Sequence, residues 1–430
     1  MTAAPVNPTP PSDPAKVAEP QDTRSAADLD PRLLVDQAGL RGYVTAFTRR
    51  VRGGELGSLP VVIGLIVIWL VFQTQSSSFL TSQNLSNLAQ QMVSTGLIAV
   101  GVVMVLLLGE VDLSVGSVSG FTSAILATQI VNHGTNEGLA IVIALAAGAL
   151  VGVLHGVWFT RIGVPAFVVT LAGLLFWQGA QLGVLGTSGS VTLPQQSFVR
   201  QLSTSFYPKG TGYAIAAVIV VVYLAAQLFE VRSRRGASLR PRPVVEVVAR
   251  CVVLAVLLGV AVTVLNGYRG VPQSLVIFVV VVLVFDLVIR RTRYGRHVLA
   301  VGGNTEAARR AGISVSGIRI SVFALAGLMA AAGGIMAASY LNSVGQASGG
   351  STTLLYAIAA AVIGGTSLFG GRGSAWSALL GVLVITSITN GMALLSFTSS
   401  TQFMVTGAVL LIAASIDALG RRGRAASGRG

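Results

Sequence analysis

The stretch VLAVGGNTEAARRAGI, Val298 to Ile313, separates two long apolar segments, residues 273–290 and 320–340. It is short, polar and basic, whereas both neighbours are rich in Val, Leu, Ile and Ala. An apolar run of about 20 residues has the length that crosses a bilayer as a helix. The sequence therefore predicts an exposed loop between two membrane helices, and we expect a soluble partner to dock on it.

The composition of the chain extends this prediction to nearly its whole length. Of the 430 residues, 53% are hydrophobic and 10% are charged, whereas soluble domains carry about 25% charged residues. Runs of alternating apolar and polar residues, typical of membrane β-barrels, are absent. We therefore predict an all-α, polytopic membrane protein with about 10–12 transmembrane helices. The candidate segments are 59–74, 92–108, 113–131, 139–159, 165–185, 213–230, 244–265, 273–290, 320–340, 354–370, 376–396 and 402–419.

Charged residues indicate how these segments are oriented. If the N-terminus is cytoplasmic and every segment crosses, 25 of the 29 Lys and Arg residues fall on the cytoplasmic side and three fall outside. This asymmetry follows the positive-inside rule, and it is the interpretation that we prefer to nucleic-acid binding for the net charge of +14. Ten crossings with two re-entrant pieces would satisfy the same charges.

The domain organisation follows from the same map. Residues 1–55 are predicted to be a disordered, basic cytoplasmic tail, because they hold few large apolar residues. Residues 56–420 form the transmembrane domain, with a cytoplasmic loop at 291–319, and 421–430 form a second basic cytoplasmic tail. Cys251 is the only cysteine and the three histidines are far apart, so we predict no disulfide within the chain and no metal site.

The motif GEVDLSVGS, residues 109–117, interrupts an apolar run with two acids and two glycines. One interpretation is a tight cytoplasmic turn in which Asp112 and Ser114 cap the next helix. The other is a broken helix beside the translocation path, since unwound backbone is tolerated in a membrane where it lines protein or water. In that second case Gly109, Asp112, Ser114 and Gly116 are candidate path residues.

A second interruption is AAAVIGGTSLFGGRGS, residues 359–374. It also reads as a re-entrant or broken helix, and it weakly resembles the first motif. Its candidate path residues are Gly364, Gly365 and Gly371. In the loop quoted first, Glu306 to Arg310 is a helix-favouring sequence bracketed by glycines, which predicts a short helix lying across the cytoplasmic face. The alternative is an ordinary basic loop.

The three motifs together, in this order, resemble the sugar-type permease subunits of bacterial ABC importers, the ribose, xylose and arabinose permease family. That family carries motifs similar to GGIDLSVGS, AVGGN-x-EAAR-x-GI and AAxVIGGTSLxGGRGS. The resemblance covers roughly residues 79–419. This chain departs from it at Glu110, where the family usually has Gly or Ile. Its added segments around 213–265 look most like the xylose-type permeases.

The resemblance implies that Glu306, Ala307, Ala308 and Gly312 form the coupling helix that seats in a groove of an ATPase subunit. It also implies two ATP-binding subunits, a permease homodimer, and a periplasmic or lipid-anchored sugar-binding protein. The chain would lie in the bacterial cytoplasmic membrane with both termini inside. It would pass a monosaccharide, a xylose-like pentose or a related sugar, and would contact the lipid bilayer and no nucleic acid.

The chain itself is not expected to be an enzyme. It holds no G-x-x-x-x-G-K-[ST] phosphate loop, so we expect it to bind no cofactor and its partner to use the ATP. The alternative function is an ion-coupled secondary sugar transporter, which needs acids or His deep in the membrane. Three acids instead precede an Arg by four residues, which favours structural ion pairs: Glu246–Arg250, Asp286–Arg290 and Asp417–Arg421. Glu110 and Asp112 remain as candidate coupling acids.

Overall fold

The computed structural model describes residues 59–236 and 244–426. The predicted tail at 1–55 and the last four residues lie outside this part of the chain. The longer helices are α1 (Leu59–Gln75), α2 (Ser82–Leu107), α3 (Val115–Val131), α4 (Glu137–Val157), α5 (Ala166–Leu185), α7 (Lys209–Gly236), α8 (Val244–Asn266), α9 (Gln273–Arg291), α12 (Val315–Leu341), α13 (Ser351–Ile363), α14 (Ala375–Leu394) and α15 (Ser399–Ala426).

Three short helices and two pairs of very short strands complete the described elements. The helices are α6 (Phe198–Thr204), α10 (Arg293–Gly303) and α11 (Thr305–Arg310), and a π-helical turn, Trp158–Ile162, follows α4. The strands are β1 (Ser190–Thr192), β2 (Phe206–Tyr207), β3 (Val271–Pro272) and β4 (Ser343–Gly345). β1 pairs with β4 and β2 pairs with β3, both antiparallel.

All twelve apolar segments predicted from the sequence are helices. Eight of the described helices are long and apolar enough to cross a membrane. The other four, α1, α3, α13 and the apolar part of α15, are shorter. The prediction of an all-α, polytopic membrane protein is therefore confirmed.

The bundle has two distinct ends. Ser82, at the start of α2, lies beside Gly267, four residues before the start of β3. Leu107, at the end of α2, lies against Gly302 of α10. We call the end with α10 and α11 the loop face, and the end with the strand pairs the strand face. Successive long helices run alternately between the two.

The centre of the bundle is formed by α2, α3, α4 and α12. The α4–α12 crossing is close because glycines face backbone there: a Cβ on Gly148 would lie 2.4 Å from the carbonyl oxygen of Gly327, and one on Gly152 would lie 2.1 Å from that of Phe323. Small residues that let helix backbones approach are the usual device for packing in lipid. From Gly96 to Leu108 every residue of the chain is buried.

One crossing is completed without continuous helix. α13 has 13 residues, so it is about 20 Å long, less than the hydrocarbon core of about 30 Å. The chain reaches it from β4 through residues 346–350, which pack on the first turns of α3. A Cβ on Gly349 would lie 2.3 Å from the carbonyl oxygen of Gly116. This irregular segment inside the bundle was not predicted.

Two predicted boundaries differ clearly from the structure, each for a local reason. α2 begins at Ser82, ten residues before the predicted 92, because its polar first turns are buried: Asn84 Nδ2 donates to Asn390 Oδ1 at 2.8 Å. α13 ends at Ile363, not at 370, because Gly365 takes a left-handed conformation with φ 98°. The interruption near 359–374 is therefore a connection, residues 364–374, between α13 and α14.

Two of the predicted ion pairs are present. Arg290 Nε lies 2.7 Å from Asp286 Oδ1, and the Arg250 guanidinium pairs with Glu246. The third predicted pair, Asp417–Arg421, lies outside the described side chains. The two observed pairs neutralise their acids locally, as i,i+4 pairs on a helix do.

Candidate functional site

The loop face carries a short exposed helix, α11, where the sequence predicts one. Asn304 starts it, since its side-chain oxygen accepts from the N–H of Ala307 at 2.9 Å. Gly312 follows its end with φ 80°, a left-handed conformation that suits glycine after a helix. The predicted short helix at 306–310 is confirmed.

The four proposed coupling residues do not share one environment. Glu306, Ala307 and Gly312 are exposed, and Glu306 pairs with Arg309 at 3.0 Å with both side chains more than 60% exposed. Ala308 is buried against the apolar core of the bundle. A partner that docks on α11 would therefore contact Glu306, Ala307 and Gly312, whereas Ala308 holds α11 on the bundle.

The preceding helix, α10, is anchored to the bundle by its apolar and aromatic side chains. Val298 and Val301 are buried, and Tyr294 Oη lies 2.9 Å from Ser321 Oγ of α12. Burial raises the pKa of the Tyr294 phenol and the hydrogen bond with Ser321 acts in the opposite direction, so the phenol is neutral at physiological pH. α10 therefore connects exposed α11 to the start of α12.

At its end, α10 meets both interrupted motifs in a contact made almost entirely of backbone. A Cβ on Gly302 would lie 1.7 Å from the carbonyl oxygen of Leu107, so no other residue fits there without movement. That carbonyl, at the end of α2, accepts from the N–H of Gly371 at 2.9 Å, which satisfies a helix-end acceptor. Gly370 packs on Gly302 and Gly109.

We call this contact the glycine junction, comprising Gly109, Gly302, Gly370, Gly371 and the Leu107 carbonyl. It brings together the three motifs that the sequence analysis singled out, although they are nearly 200 and 70 residues apart in the chain. A displacement of α10 at this point acts directly on the end of α2 and on the connection 364–374.

The remaining predicted path glycines lie elsewhere. Gly364 permits α13 to approach α14, since a Cβ there would lie 1.8 Å from the carbonyl oxygen of Ser377. Gly365 turns the chain and has open space beside it. Gly116 lies against Gly349 and Gly350 in the interior. These three positions allow turns or close backbone packing rather than forming a joint site with Gly109 and Gly371.

The first motif is tied to α12 by an ion pair that the sequence analysis missed. Glu110 Oε1 lies 3.3 Å from Arg319 Nη2, and both side chains are 22% exposed. The Arg319 guanidinium also lies over the Phe159 ring, 4.6 Å from its centroid. Burial raises the pKa of Glu110, and the positive charge of Arg319 opposes that rise. The signal in the sequence was two lone charges at apolar helix ends.

Asp112 and Ser114 join a buried chain of hydrogen bonds that reaches two further helices. Asp112 Oδ1 accepts from the backbone N–H of Ser114 at 2.8 Å and from its Oγ at 2.6 Å. Ser114 Oγ lies 3.3 Å from His155 Nδ1, and Trp177 Nε1 donates to His155 Nε2 at 3.0 Å. The predicted cap by Asp112 and Ser114 is wrong: Ser114 makes no side-chain bond to the first turn of α3, and the Asp112 carboxylate accepts from Ser114 itself rather than from the free N–H groups of that helix.

The direction of this chain follows from the donor at its far end. Trp177 can only donate, so His155 Nε2 accepts and the imidazole proton lies on Nδ1, facing Ser114 Oγ. Ser114 then donates to Asp112. The four side chains link the interruption before α3 to α4 and α5. They are occupied with one another, which leaves Asp112 bound to the protein rather than presented to a coupling ion.

No metal-binding group of three or more His, Cys, Asp and Glu side chains occurs within the ranges 59–236 and 244–426. The loop face combines exposed α11, the bundle-anchored helix α10, and the glycine junction, which reaches the interruptions at 108–114 and 364–374.

Comparison with known proteins agrees with this arrangement. The family described as branched-chain amino acid transport system / permease component matches residues 84–414. The xylose transport system permease protein of Escherichia coli K12 is 37% identical over 363 residues, which cover 84% of this chain and 92% of that protein. Its counterpart in Haemophilus influenzae is 33% identical, over 83% of this chain and 95% of that protein.

The ribose import permease protein of Escherichia coli K12 is 33% identical over 356 residues, covering 83% of this chain and 92% of that protein. No solved structure matches the chain significantly. The matches span nearly the whole described bundle, including all three motifs. The chain therefore belongs to the family of membrane permease components that includes the xylose and ribose permeases of bacterial sugar-import systems.

Proposed function

We propose that this chain is the translocating subunit of an ATP-driven importer for a monosaccharide, a xylose-like pentose or a related sugar. The printed functions of its relatives, xylose transport and ribose import, support this substrate class. Its partners are then two copies of an ABC ATP-binding subunit, a second copy of this chain, and a periplasmic or lipid-anchored sugar-binding protein. The chain binds no cofactor, and the partner hydrolyses the ATP.

In this proposal the loop face is cytoplasmic, both termini are cytoplasmic, and the strand face receives the sugar. The basic residues of the loop support this orientation under the positive-inside rule. α11 is the element that the ATPase holds, through exposed Glu306, Ala307 and Gly312.

The glycine junction is the observation that supports the proposal most strongly. When the ATPase subunits close, α11 moves and α10 moves with it. Because Gly302 lies directly on the Leu107 carbonyl, that movement reaches α2 and the connection 364–374. The bundle then changes which of its faces admits solute, which is the alternating access expected of a transporter with two conformations.

Two adjacent glycines provide the test. Gly302→Ala places a methyl group on the Leu107 carbonyl, whereas Gly303→Ala meets nothing within 4 Å. In proteoliposomes with the ATPase and the binding protein, we expect G302A to lower ATP-dependent D-xylose uptake about tenfold, the order expected when 1–2 kcal/mol of coupling is lost. We expect G303A to transport at nearly the parental rate.

ATP hydrolysis and complex assembly are measured in the same preparations. Hydrolysis that continues in G302A while uptake falls would show uncoupling rather than loss of assembly. Uptake that persists without ATP and disappears with an ionophore would contradict the proposal, and so would equal transport by G302A and G303A.

A further inference from the structure

A cavity of about 220 Å³, with several hydroxyl groups in its lining, lies inside the bundle, away from the loop face. Its walls are α2, α3, α12 and the irregular segment before α13, and it extends to the last turn of α12 at Tyr340 and Leu341. Much of the remaining lining is small, including Gly334, Ala337 and Gly349. The hydroxyl side chains that line it, apart from Tyr340, are Ser94, Thr95, Ser119, Ser123, Ser348 and Thr353.

Three of these hydroxyl groups already donate their proton in a hydrogen bond to a backbone carbonyl. Ser119 Oγ donates to the carbonyl of Gly116 at 2.7 Å, and Ser123 Oγ donates to that of Gly120 at 2.8 Å. Ser94 Oγ donates to the carbonyl of Gly333 at 2.9 Å. A serine hydroxyl has one proton and two lone pairs. These three side chains therefore offer acceptors to a solute that carries O–H donors.

The facing wall can supply a donor. Ser348 Oγ accepts from the backbone N–H of Gly345 at 3.0 Å, which leaves its own proton for another acceptor. None of the described residues that line the cavity is charged. An ion would enter without a counter-charge at high cost, whereas a neutral solute with several hydroxyl groups would find both donors and acceptors.

The cavity is blocked toward the loop face. Its last lining residue on α2 is Thr95, and beyond it the residues Gly96–Leu108 are all buried in the apolar core. The cavity is therefore confined to the half of the bundle toward the strand face, where a solute arriving from that face would stop.

We propose that this cavity holds a neutral polyhydroxylated solute, with Ser94, Ser119, Ser123 and Ser348 as its hydrogen-bonding residues. The inference rests on the proposed function and adds to it a place and a chemical selectivity inside the chain. The site discriminates against charged analogues because no charged side chain lines it.

Hydroxyl deletion is the first test, with D-xylose as the probe. Proteoliposomes with the complete importer carry S94A, S119A or S123A, and initial uptake is measured against ATP hydrolysis. Each deletion is expected to lower uptake about two- to tenfold, the effect of one hydrogen bond. The control is S274A, which removes a hydroxyl on α9, outside the cavity, that is as buried as those of Ser119 and Ser123.

Filling the cavity is the second test. Ala337 is half-buried and lines it, so Ala337→Leu projects into the space, whereas Ala337→Ser adds a single oxygen atom and changes the volume of the space little. We expect A337L to reduce uptake more than tenfold while ATP hydrolysis shows an assembled complex. We expect A337S, which leaves most of the space open, to reduce uptake less than A337L does.

Chemical access is the third test, and the single cysteine makes it simple. In a Cys251→Ser background, Ser123→Cys is expected to react with a membrane-impermeant thiol reagent added from the strand face, and D-xylose with its binding protein should slow that reaction. Ser274→Cys should remain unmodified.

The outcomes separate the two proposals. Parental uptake without ATP dependence overturns the proposed function. ATP-dependent parental uptake that is unaffected by S94A, S119A, S123A and A337L overturns the cavity assignment alone. Equal losses in S274A and the cavity variants would also overturn it, because the effect would then follow burial of a hydroxyl rather than its position.

Discussion

The two irregular segments inside the bundle differ in how many side-chain contacts hold them, although glycine packing contributes to both. The break at 108–114 is fastened by side chains: Glu110 pairs with Arg319, and Asp112 is linked through Ser114 and His155 to a tryptophan. The segment 346–350 is held by backbone packed on glycine, with Gln181 Nε2 donating to the carbonyls of Gly345 and Ser348.

This difference suggests that the segments 108–114 and 346–350 have different roles. The ion pair and the hydrogen bonds connect the segment 108–114 to α12, α4 and α5. We therefore expect this segment to move together with those helices. The second segment has a cavity on each side, of about 220 Å³ and about 90 Å³, and its backbone forms part of the wall. The first break suits transmission of movement, and the second suits contact with solute.

The largest expected effect comes from breaking the backbone packing of the second segment. A Cβ on Gly120 would lie 2.2 Å from the carbonyl oxygen of Ser348 and 2.3 Å from Gln181 Oε1. We expect Gly120→Ala to destabilise the protein by about 3 kcal/mol, the upper range for overpacking, although alanine favours helix. Thermal unfolding in detergent measures this change.

The matched control for that substitution is Gly183→Ala in exposed α5, where a Cβ meets nothing within 4 Å. Alanine there should stabilise the helix by up to about 1 kcal/mol. Similar stabilities for the two variants would show that the close approach at Gly120 relaxes without cost, and the comparison of the two segments would fail.

A smaller loss of stability is expected from removing a side-chain hydrogen bond of the chain that holds the segment 108–114. Trp177→Phe keeps most of the ring packing against Phe121 and Phe176 but removes the donor to His155 Nε2. The buried acceptor is then unsatisfied, which costs about 1–3 kcal/mol. The cost is measured by unfolding in detergent, against Trp158→Phe at a half-exposed position.

A double-mutant cycle sharpens this result. If the hydrogen bonds from Trp177 through His155 and Ser114 to Asp112 depend on one another, the stability losses of Trp177→Phe and Ser114→Ala should be non-additive. Additive losses would mean that the hydrogen bonds at the two ends are independent, and that the first break is not held as a unit.

The smallest effect is a pH dependence at Glu110. Burial raises the folded-state pKa of this carboxyl above its ordinary value, with Arg319 opposing. The folded protein therefore holds this proton more tightly than the unfolded chain, and the stability it contributes is present at low pH and is lost as pH rises through the folded pKa.

The stability of the parent protein relative to Glu110→Gln should therefore rise as pH is lowered from 7 toward 4.5. Unfolding of both proteins across this range measures the difference. A relative stability that falls with acidification would mean that attraction to Arg319 outweighs burial, and that the ion pair is the dominant tie of the first break.

The sequence predicted the helices well because lipid imposes a simple rule on them: each apolar run became a helix. It also predicted α11, because the signals at its ends are local, whereas the predicted cap by Asp112 and Ser114 was wrong, since Asp112 bonds Ser114 rather than the first turn of α3. The glycine junction could be predicted only in part. Gly109, Gly302 and Gly371 were recognisable as interruptions, but their meeting depends on how α2 and α10 pack, which no local pattern encodes.

The second segment and the cavity were not predictable for a different reason. Residues 346–350, QASGG, read as an ordinary surface turn, and only Gln181, distant in the chain, shows that their carbonyls are partnered inside the bundle. Ser119 and Ser123 donate to carbonyls of their own helix, as Ser and Thr in apolar helices commonly do, and Ser94 donates to Gly333 of α12. Neither kind of contact could be read from sequence position, so the shared wall was not identified.

The antiparallel pairing of β1 with β4 has a mechanical consequence. Val191 lies opposite Val344, and only a few residues separate β4 from Ser348. The strand pair β1–β4 and the segment 346–350, which lines the cavity, are thus joined by continuous backbone. Under the proposed function, a binding protein that presses on this strand pair would be expected to shift Ser348 as well, so its docking and the release of the sugar would occur together.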